Sequence, residues 1–283
     1  MSAFSHVDNP RSIKYYVKRY LSQHAASLKG KTIIDFPAGN GVTSRLLLDI
    51  DAKPMPFDLF PEYFELDSPE CLRANIRDGL PVDDATADGL ICQEGIEHFS
   101  DQFSALKEFN RVLKKDGTLL ITTPNYSNLC AKFSYAISES EKFNSTMPPN
   151  EFDSVWMSQQ HITDEVYFGH IFLLGFQKLR VLAKLSGFKV KAFHFTRMNL
   201  TSLVLFPFFY PFILLLNWLV YQKRLKKCQG QEEIKQTYNE VFKYAISPKV
   251  LLSSGLMVEF SKEQDAKDVT KGLRSCHQDF GNT

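Results

Sequence analysis

Between Pro10 and Leu28 the apolar residues Ile13, Tyr16, Val17, Tyr20, Leu21, Ala25 and Leu28 recur at helical spacing, and Gly30 follows where a helix would stop. This predicts a lead-in helix. Lys31–Asp35 is then a short apolar run rich in β-branched residues, closed by the turn sequence Phe36–Gly41 and followed by Val42–Leu48, which can start a helix. Strand, glycine loop and helix in that order form half of a βαβ unit. Further strands are predicted at Lys53–Asp58, Gly89–Cys92 and Thr118–Thr123. Between the last two, Ser100 is the expected cap of a helix carrying Phe103, Leu106, Phe109 and Leu113, ended by Asp116 and Gly117. Strands alternating with helices imply a parallel, doubly wound α/β sheet.

Beyond Pro124 the periodicity loosens, and the polar stretch Ser138–Gln160 reads as a cover or lid. A helix over Phe176–Ser186, stopped by Gly187, leads into a strand, Phe188–Phe195. Leu203–Tyr221 then gives 19 positions without a charge, apolar on every side. A surface helix would show one polar face. Such a helix would reach about 28 Å, barely the hydrocarbon thickness, and Pro207 and Pro211 are expected to break its first half. Gly255–Ser261 alternates as a strand, and the tail after Lys262 is polar and expected to fray. The expected organisation is a lead-in helix over 1–30, a core over 31–198 with a lid region near 126–170, an apolar insertion over 199–247, and a final strand and tail over 248–283.

Composition narrows the partners. With 33 Lys and Arg against 32 Asp and Glu the chain has a formal charge of +1, too little overall field to collect polyanions, so nucleic acid is not expected. Five scattered cysteines include no C-x-x-C pair, and no metal site is assigned; a thiol-reduced, cytoplasmic setting is expected. The polar N-terminus carries no apolar signal segment. Basic residues flank the apolar run on both sides, Lys189, Lys191 and Arg197 before it and Lys223, Arg224, Lys226 and Lys227 after it. Charges of one sign at both ends favour a bent hairpin or in-plane insertion into the inner leaflet over a single crossing. A dimer interface or buried core helix is the competing reading of this run.

The residues that can carry chemistry cluster at predicted strand ends. In Asp35–Gly41 the glycines let backbone N–H groups approach a ligand closely. As a dinucleotide fingerprint the segment is damaged, because Ser44 stands where the third glycine belongs. A carboxylate at Asp58, 17 residues after Gly41, can accept two hydroxyl hydrogen bonds. Glu94, Glu97 and His98 follow another strand, and Thr122–Asn125 a further one, at the edge where open α/β sheets bind ligands.

This series resembles the class I S-adenosylmethionine-dependent methyltransferases, especially the group with small-molecule and glycan-related substrates, from about Ile33 to Phe195. The family's acidic-x-G-x-G-x-G loop is matched by Asp35, Gly39 and Gly41, with Pro37 in place of the first glycine. The resemblance implies a Rossmann-like, seven-stranded sheet and S-adenosylmethionine as cofactor. It places Asp35, Ala38, Gly39 and Gly41 around the cofactor, Asp58 on the ribose, Asn75 at the adenine amino group and Glu94 beside the cofactor. Asn75 stands where the family usually has Asp, and can still accept through its carbonyl. Gln93–Phe99 resembles the family's E-x-x-E-H segment, in which His98 can face the substrate.

Methyl transfer from a sulfonium is an in-line displacement, so holding donor and acceptor in place does most of the work. A hydroxyl acceptor must also lose a proton, and histidine is the natural base. His161 and His170 lie in the lid region; His170, in a segment resembling a G-H-I stretch of related enzymes, is the preferred base, with His98 second. The expected function is methyl transfer at the cytoplasmic membrane face to a small-molecule, glycan-related or lipid-linked acceptor such as a polyprenylated ring. A soluble methyltransferase dimerising through the apolar run, and a non-catalytic membrane-bound module of the same fold, are the alternatives. The oligomeric state is left open.

Overall fold

A computed structural model describes residues 3–140, 148, 150–151, 167–227 and 232–269. The lead-in helix α1 spans Ile13–Leu28, where Ser12 caps it by accepting from the Lys14 N–H. Then come β1 (Thr32–Asp35), α2 (Val42–Leu48), β2 (Lys53–Asp58), β3 (Leu72–Arg73), β4 (Ala87–Gln93), α3 (Gln102–Val112) and β5 (Leu113–Pro124). After α4 (Leu129–Ser138) the chain continues through α5 (Phe176–Leu185), β6 (Phe188–Phe193), α6 (Leu200–Leu225), α7 (Glu232–Ala245), α8 (Pro248–Leu252) and β7 (Gly255–Lys262).

The seven strands form one sheet in the order β3-β2-β1-β4-β5-β7-β6. β1 to β5 pair in parallel, and β7 runs antiparallel to both β5 and β6. Successive side chains leave a strand on opposite faces, so neighbouring apolar residues feed two different cores. Ile34, Leu90, Leu119 and Ile121 pack with Phe109 of α3 and Phe176 of α5 on one face. Ile33, Ile91 and Leu120 pack with Val17 and Leu21 of α1 and Leu46 and Leu47 of α2 on the other. This is the doubly wound, Rossmann-like, seven-stranded sheet that the motifs imply.

Three local expectations are corrected. Asp101, not Ser100, caps α3, accepting from the Ser104 N–H at 2.9 Å, where a carboxylate also meets the positive end of the helix dipole. The helix ends at Val112, and Leu113 already belongs to β5, opposite Ala87; the pairing slips between Ala87 and Gly89, so Asp116 and Gly117 lie within the irregular start of that strand rather than after a helix. The apolar run is neither hairpin nor broken helix: α6 continues through Pro207 and Pro211 for 26 residues. Each proline removes one N–H, which leaves the carbonyls of Leu203 and Pro207 without their i+4 donors while the remaining ladder carries the helix.

Topology fixes where the insertion sits. Because β6 runs parallel to β5, the chain leaves β6 at the carboxyl edge of the sheet, and β7 starts there too, with Gly255 opposite Pro124. The Asn125 side chain donates to the carbonyls of Val250 and Ser253 at 2.8 Å, tying α8 to the end of β5. The start of α6 is tied alongside: Ser202 Oγ accepts from the Cys130 N–H at 2.9 Å and Phe209 meets Phe133 of α4.

The junction of α5 and β6 has little tolerance. Gly187 adopts φ +87°, and a Cβ on it would lie 2.3 Å from the Gln264 carbonyl oxygen and 2.8 Å from Asn110 Nδ2. Gly187→Ala should lower the unfolding free energy by about 2 kcal/mol or more in urea titration. An unchanged midpoint would contradict this account of the junction.

Candidate active site

A cavity of about 750 Å³ opens at the carboxyl ends of β1, β2 and β4. Its walls include Gly39, Asp58, Asn75 and Glu94, with Leu59, Phe60, Tyr63 and Ile76 supplying apolar surface. His98, Ser100, Asp101, Ser104, Tyr167 and His170 are also among its lining residues. Four of the seven residues expected around the cofactor therefore line one space, as do both histidines expected to act as base.

Asp58 organises the near wall. Its Oδ2 accepts the Gly39 N–H at 2.7 Å and its Oδ1 the Phe60 N–H at 2.8 Å, so one carboxylate holds the glycine loop after β1 against the turn after β2. Each oxygen keeps lone-pair capacity for a further donor, as a pair of ribose hydroxyls requires. Above Gly39, φ +53°, nothing lies within 4 Å of where a Cβ would be, so the loop backbone is open to a ligand. These residues fit a nucleoside cofactor: an apolar cleft, an exposed peptide edge and a two-oxygen acceptor. Asn75 is further along the wall, its Oδ1 accepting the Arg77 N–H at 3.1 Å with one carbonyl lone pair remaining.

The other three residues stand behind the cleft wall. Asp35 is buried under the loop, where its Oδ2 accepts from Ser44 Oγ at 2.7 Å and burial pushes the carboxyl up to about 7. Ser44, the residue that spoils a dinucleotide fingerprint, thus anchors the acidic residue of β1. Ala38 is buried and donates to the Phe57 carbonyl. Gly41, φ +88°, starts α2 beneath the Phe64 ring, 2.9 Å from where its Cβ would sit.

Pro37 occupies space that Gly95 vacates. A Cβ on Gly95 would lie 2.3 Å from Pro37 Cδ and 2.7 Å from Cγ, so the proline ring fills the volume over the end of β4. A ring where the family pattern has a glycine is accommodated by a glycine on the neighbouring strand end.

After β4, a short 3-10 turn over Ile96–His98 turns Glu97 inward and His98 toward the cleft. Glu94 accepts from Thr122 Oγ1 at 3.2 Å. Glu97 is fully buried, and neither of its oxygens has a hydrogen-bond partner among the described residues. Burial pushes both carboxyls up to about 7, helped at Glu94 by the neighbouring Glu97 charge. His98 Nδ1 lies 2.9 Å from the Phe168 carbonyl, which can only accept; Nδ1 carries the proton, and Nε2 is the acceptor. The His170 ring lies 5.1 Å from that of His98. Glu97, His98 and His170 offer ligand atoms within 4.8 Å of one another, a set that can hold a divalent cation and that the gap of 72 residues between His98 and His170 conceals in the sequence. His161 lies outside the described residues.

Fold and cleft are similar to those of the class I S-adenosylmethionine-dependent methyltransferases, a likeness that implies S-adenosylmethionine as the cofactor the cleft would take. Residues 34–121 match the family model described as a methyltransferase domain. Among curated proteins, the chain is 25% identical over 152 residues to the ubiquinone biosynthesis O-methyltransferase of Xanthomonas campestris, covering 50% of this chain and 60% of that one. It is 28% identical over 129 residues to the protein of the same name from Xylella fastidiosa, covering 42% and 50%. The chain thus spans between half and three fifths of these relatives. A methyltransferase structure from Archaeoglobus fulgidus superposes with a TM-score of 0.52 at 15% identity, over 93% of this chain and all of that one, which shows the shared fold.

Two expectations follow. Asp58→Ala should weaken S-adenosylhomocysteine binding by about 1.5–3 kcal/mol in calorimetry, the range for hydrogen bonds to a charged group, and unchanged affinity would remove Asp58 from the site. The second is a pH effect. A carboxyl whose pKa is raised by folding stabilises the native state fully below its unfolded value and loses that contribution as pH rises through its folded value. Glu97→Gln should therefore gain stability relative to the wild type between about pH 5 and about pH 8, by on the order of 1–3 kcal/mol. Parallel pH profiles of the two proteins would show that Glu97 is ionised in the fold.

Proposed function

We propose that the protein transfers a methyl group from S-adenosylmethionine to a hydroxyl on a lipid-linked or glycan-related acceptor at the cytoplasmic face of a membrane. The observation that carries this reading is the pairing, at one sheet edge, of a nucleoside-sized cleft ending in two histidines with a long, apolar, exposed helix. The cofactor supplies an electrophilic methyl group. Asp58 would hold the ribose hydroxyls, Asn75 the adenine edge, and the backbone at Gly39 the face of the loop. The remaining task is orientation and removal of a proton from the acceptor.

His98 is the stronger base on geometry, although His170 is the expectation from sequence. Its Nδ1–H is committed to the Phe168 carbonyl, which fixes the ring and leaves Nε2 to take the proton. His170 is the more exposed of the two and stands beside it, suited to pass that proton outward. The relatives from Xanthomonas and Xylella are named as O-methyltransferases of ubiquinone biosynthesis, which supports a hydroxyl acceptor here.

His98→Ala should lower turnover by roughly 100-fold or more while S-adenosylhomocysteine affinity stays within about threefold of the wild type, and His170→Ala should cost less. Full turnover in the His98→Ala, His170→Ala double variant would overturn base catalysis by this pair. Wild-type protein that binds no S-adenosylhomocysteine would overturn the enzyme reading altogether.

A further inference from the structure

The helix α6 is built inside out. Val204, Phe208, Phe212, Leu215 and Leu219 follow one another at spacings of three or four residues, so they form one stripe, and they are between 48% and 68% exposed. The opposite stripe, Phe206, Tyr210, Ile213, Asn217 and Tyr221, is half-buried. The polar atoms lie on this inner side: Asn217 Nδ2 donates to the Ile213 carbonyl and Tyr221 Oη reaches Asn239 of α7 at 2.5 Å. A helix in water would reverse this arrangement.

Both ends of α6 are held on the same domain. Its start is fixed by Ser202 to Cys130 and by Phe209 against Phe133. Near its end, Tyr221 stacks on Phe242 of α7 at 4.6 Å. That helix is in turn pinned to α5 by the buried Arg180, which pairs with Glu240 at 3.1 Å, by Gln177 donating to the Val241 carbonyl, and by Phe176 against Tyr244. A helix of 26 residues is about 39 Å long, enough to cross a bilayer. With both ends on one domain, and with α7 carrying the sequence Glu232–Ala245 and its several charges, a crossing would drag polar helix into hydrocarbon.

Charge points to the occupant of the exposed stripe. Residues 192–231 contain no Asp or Glu but include Arg197, Lys223, Arg224, Lys226 and Lys227, leaving 28 basic against 32 acidic residues in the rest of the chain. The near-zero net charge hides a basic insertion on an acidic body.

We propose that α6 lies along the plane of an anionic bilayer, with the stripe from Val204 to Leu219 sunk into one leaflet and the lysines after Leu225 at the headgroups. The inference deepens the membrane-face reading and rests on it, but needs neither cofactor nor catalysis. Basic side chains at headgroup level add attraction to anionic lipid, and the apolar stripe adds adhesion that salt does not screen.

Flotation of the purified full-length protein with vesicles tests the partner. Equal parts of phosphatidylcholine and phosphatidylglycerol should carry the protein up the gradient, also after a salt wash, and phosphatidylcholine alone should carry less. The combined substitutions Phe208→Ser, Phe212→Ser and Leu215→Ser, all at exposed positions of the stripe, should reduce flotation about tenfold or more while S-adenosylhomocysteine binding, read in the same preparation, is unchanged. A wild type that floats with neither vesicle overturns the membrane-face reading as well; if it is also a dimer that these substitutions split, the stripe is an interface between copies.

Depth tests the orientation. With Trp156→Phe and Trp218→Phe removing the native indoles, Phe212→Trp should be quenched more by lipid brominated near the headgroup than by lipid brominated near the chain end. The reverse order, in protein that floats, would overturn the in-plane orientation and leave membrane attachment standing.

Discussion

The cleft depends on what the Asp58 carboxylate does at the end of β2. Two backbone N–H groups, from Gly39 and Phe60, converge on its two oxygens, so the turns after β1 and β2 are set relative to each other by one side chain. Charge-assisted hydrogen bonds to a partly buried carboxylate are among the stronger local restraints a protein can make. The apolar walls around it, Leu59, Phe60 and Tyr63, follow directly in the chain, so the turn that Asp58 fixes also brings its own desolvating surface. Binding capacity in this region is thus a property of the paired loops and not of any separate ligand-binding element.

Much of this was legible in the sequence because it is written at short range. The strands β1 and β5 announce themselves as apolar runs rich in β-branched residues, β2 and β4 as short apolar runs beside aspartate or glycine, and the motif residues follow those strand ends. Asp58, Gly39 and His98 were singled out by the resemblance to the methyltransferases that these strand ends carry. What could not be read is long-range or atomic. The approach of His170 to His98 depends on chain that returns after 72 residues. The choice of His98 over His170 as base rests on a hydrogen bond to the Phe168 carbonyl, which no residue pattern reveals. Asp35, Ala38 and Gly41 carry the motif yet stand behind the wall, because a motif records which residues shape a loop without separating those that face its ligand.

The insertion shows a different limit. Proline is a strong signal against helix interior, and two prolines four residues apart were expected to break α6. The remaining hydrogen bonds and the packing of the inner stripe on α4 and α7 outweigh that local preference. Composition misled in a second way, since a formal charge of +1 describes neither the insertion nor the body on which it sits. Segregation of charge along the chain, and not its sum, is the quantity with physical meaning for a surface.

Pro37 and Gly95 have a consequence for how such a domain can be altered. The ring of one fills the hollow left by the other, although they come from different strand ends and lie 58 positions apart. Neither position is then free to drift alone: a larger residue at 95 meets the ring, and a glycine at 37 leaves a void beside the cofactor loop. A loop transplanted from a protein with the common glycine pattern would import half of a matched pair, and so would a graft in the other direction. For anyone rebuilding this cleft, the exchangeable unit is the two strand ends together, with the boundary of modularity running through space and not along the chain.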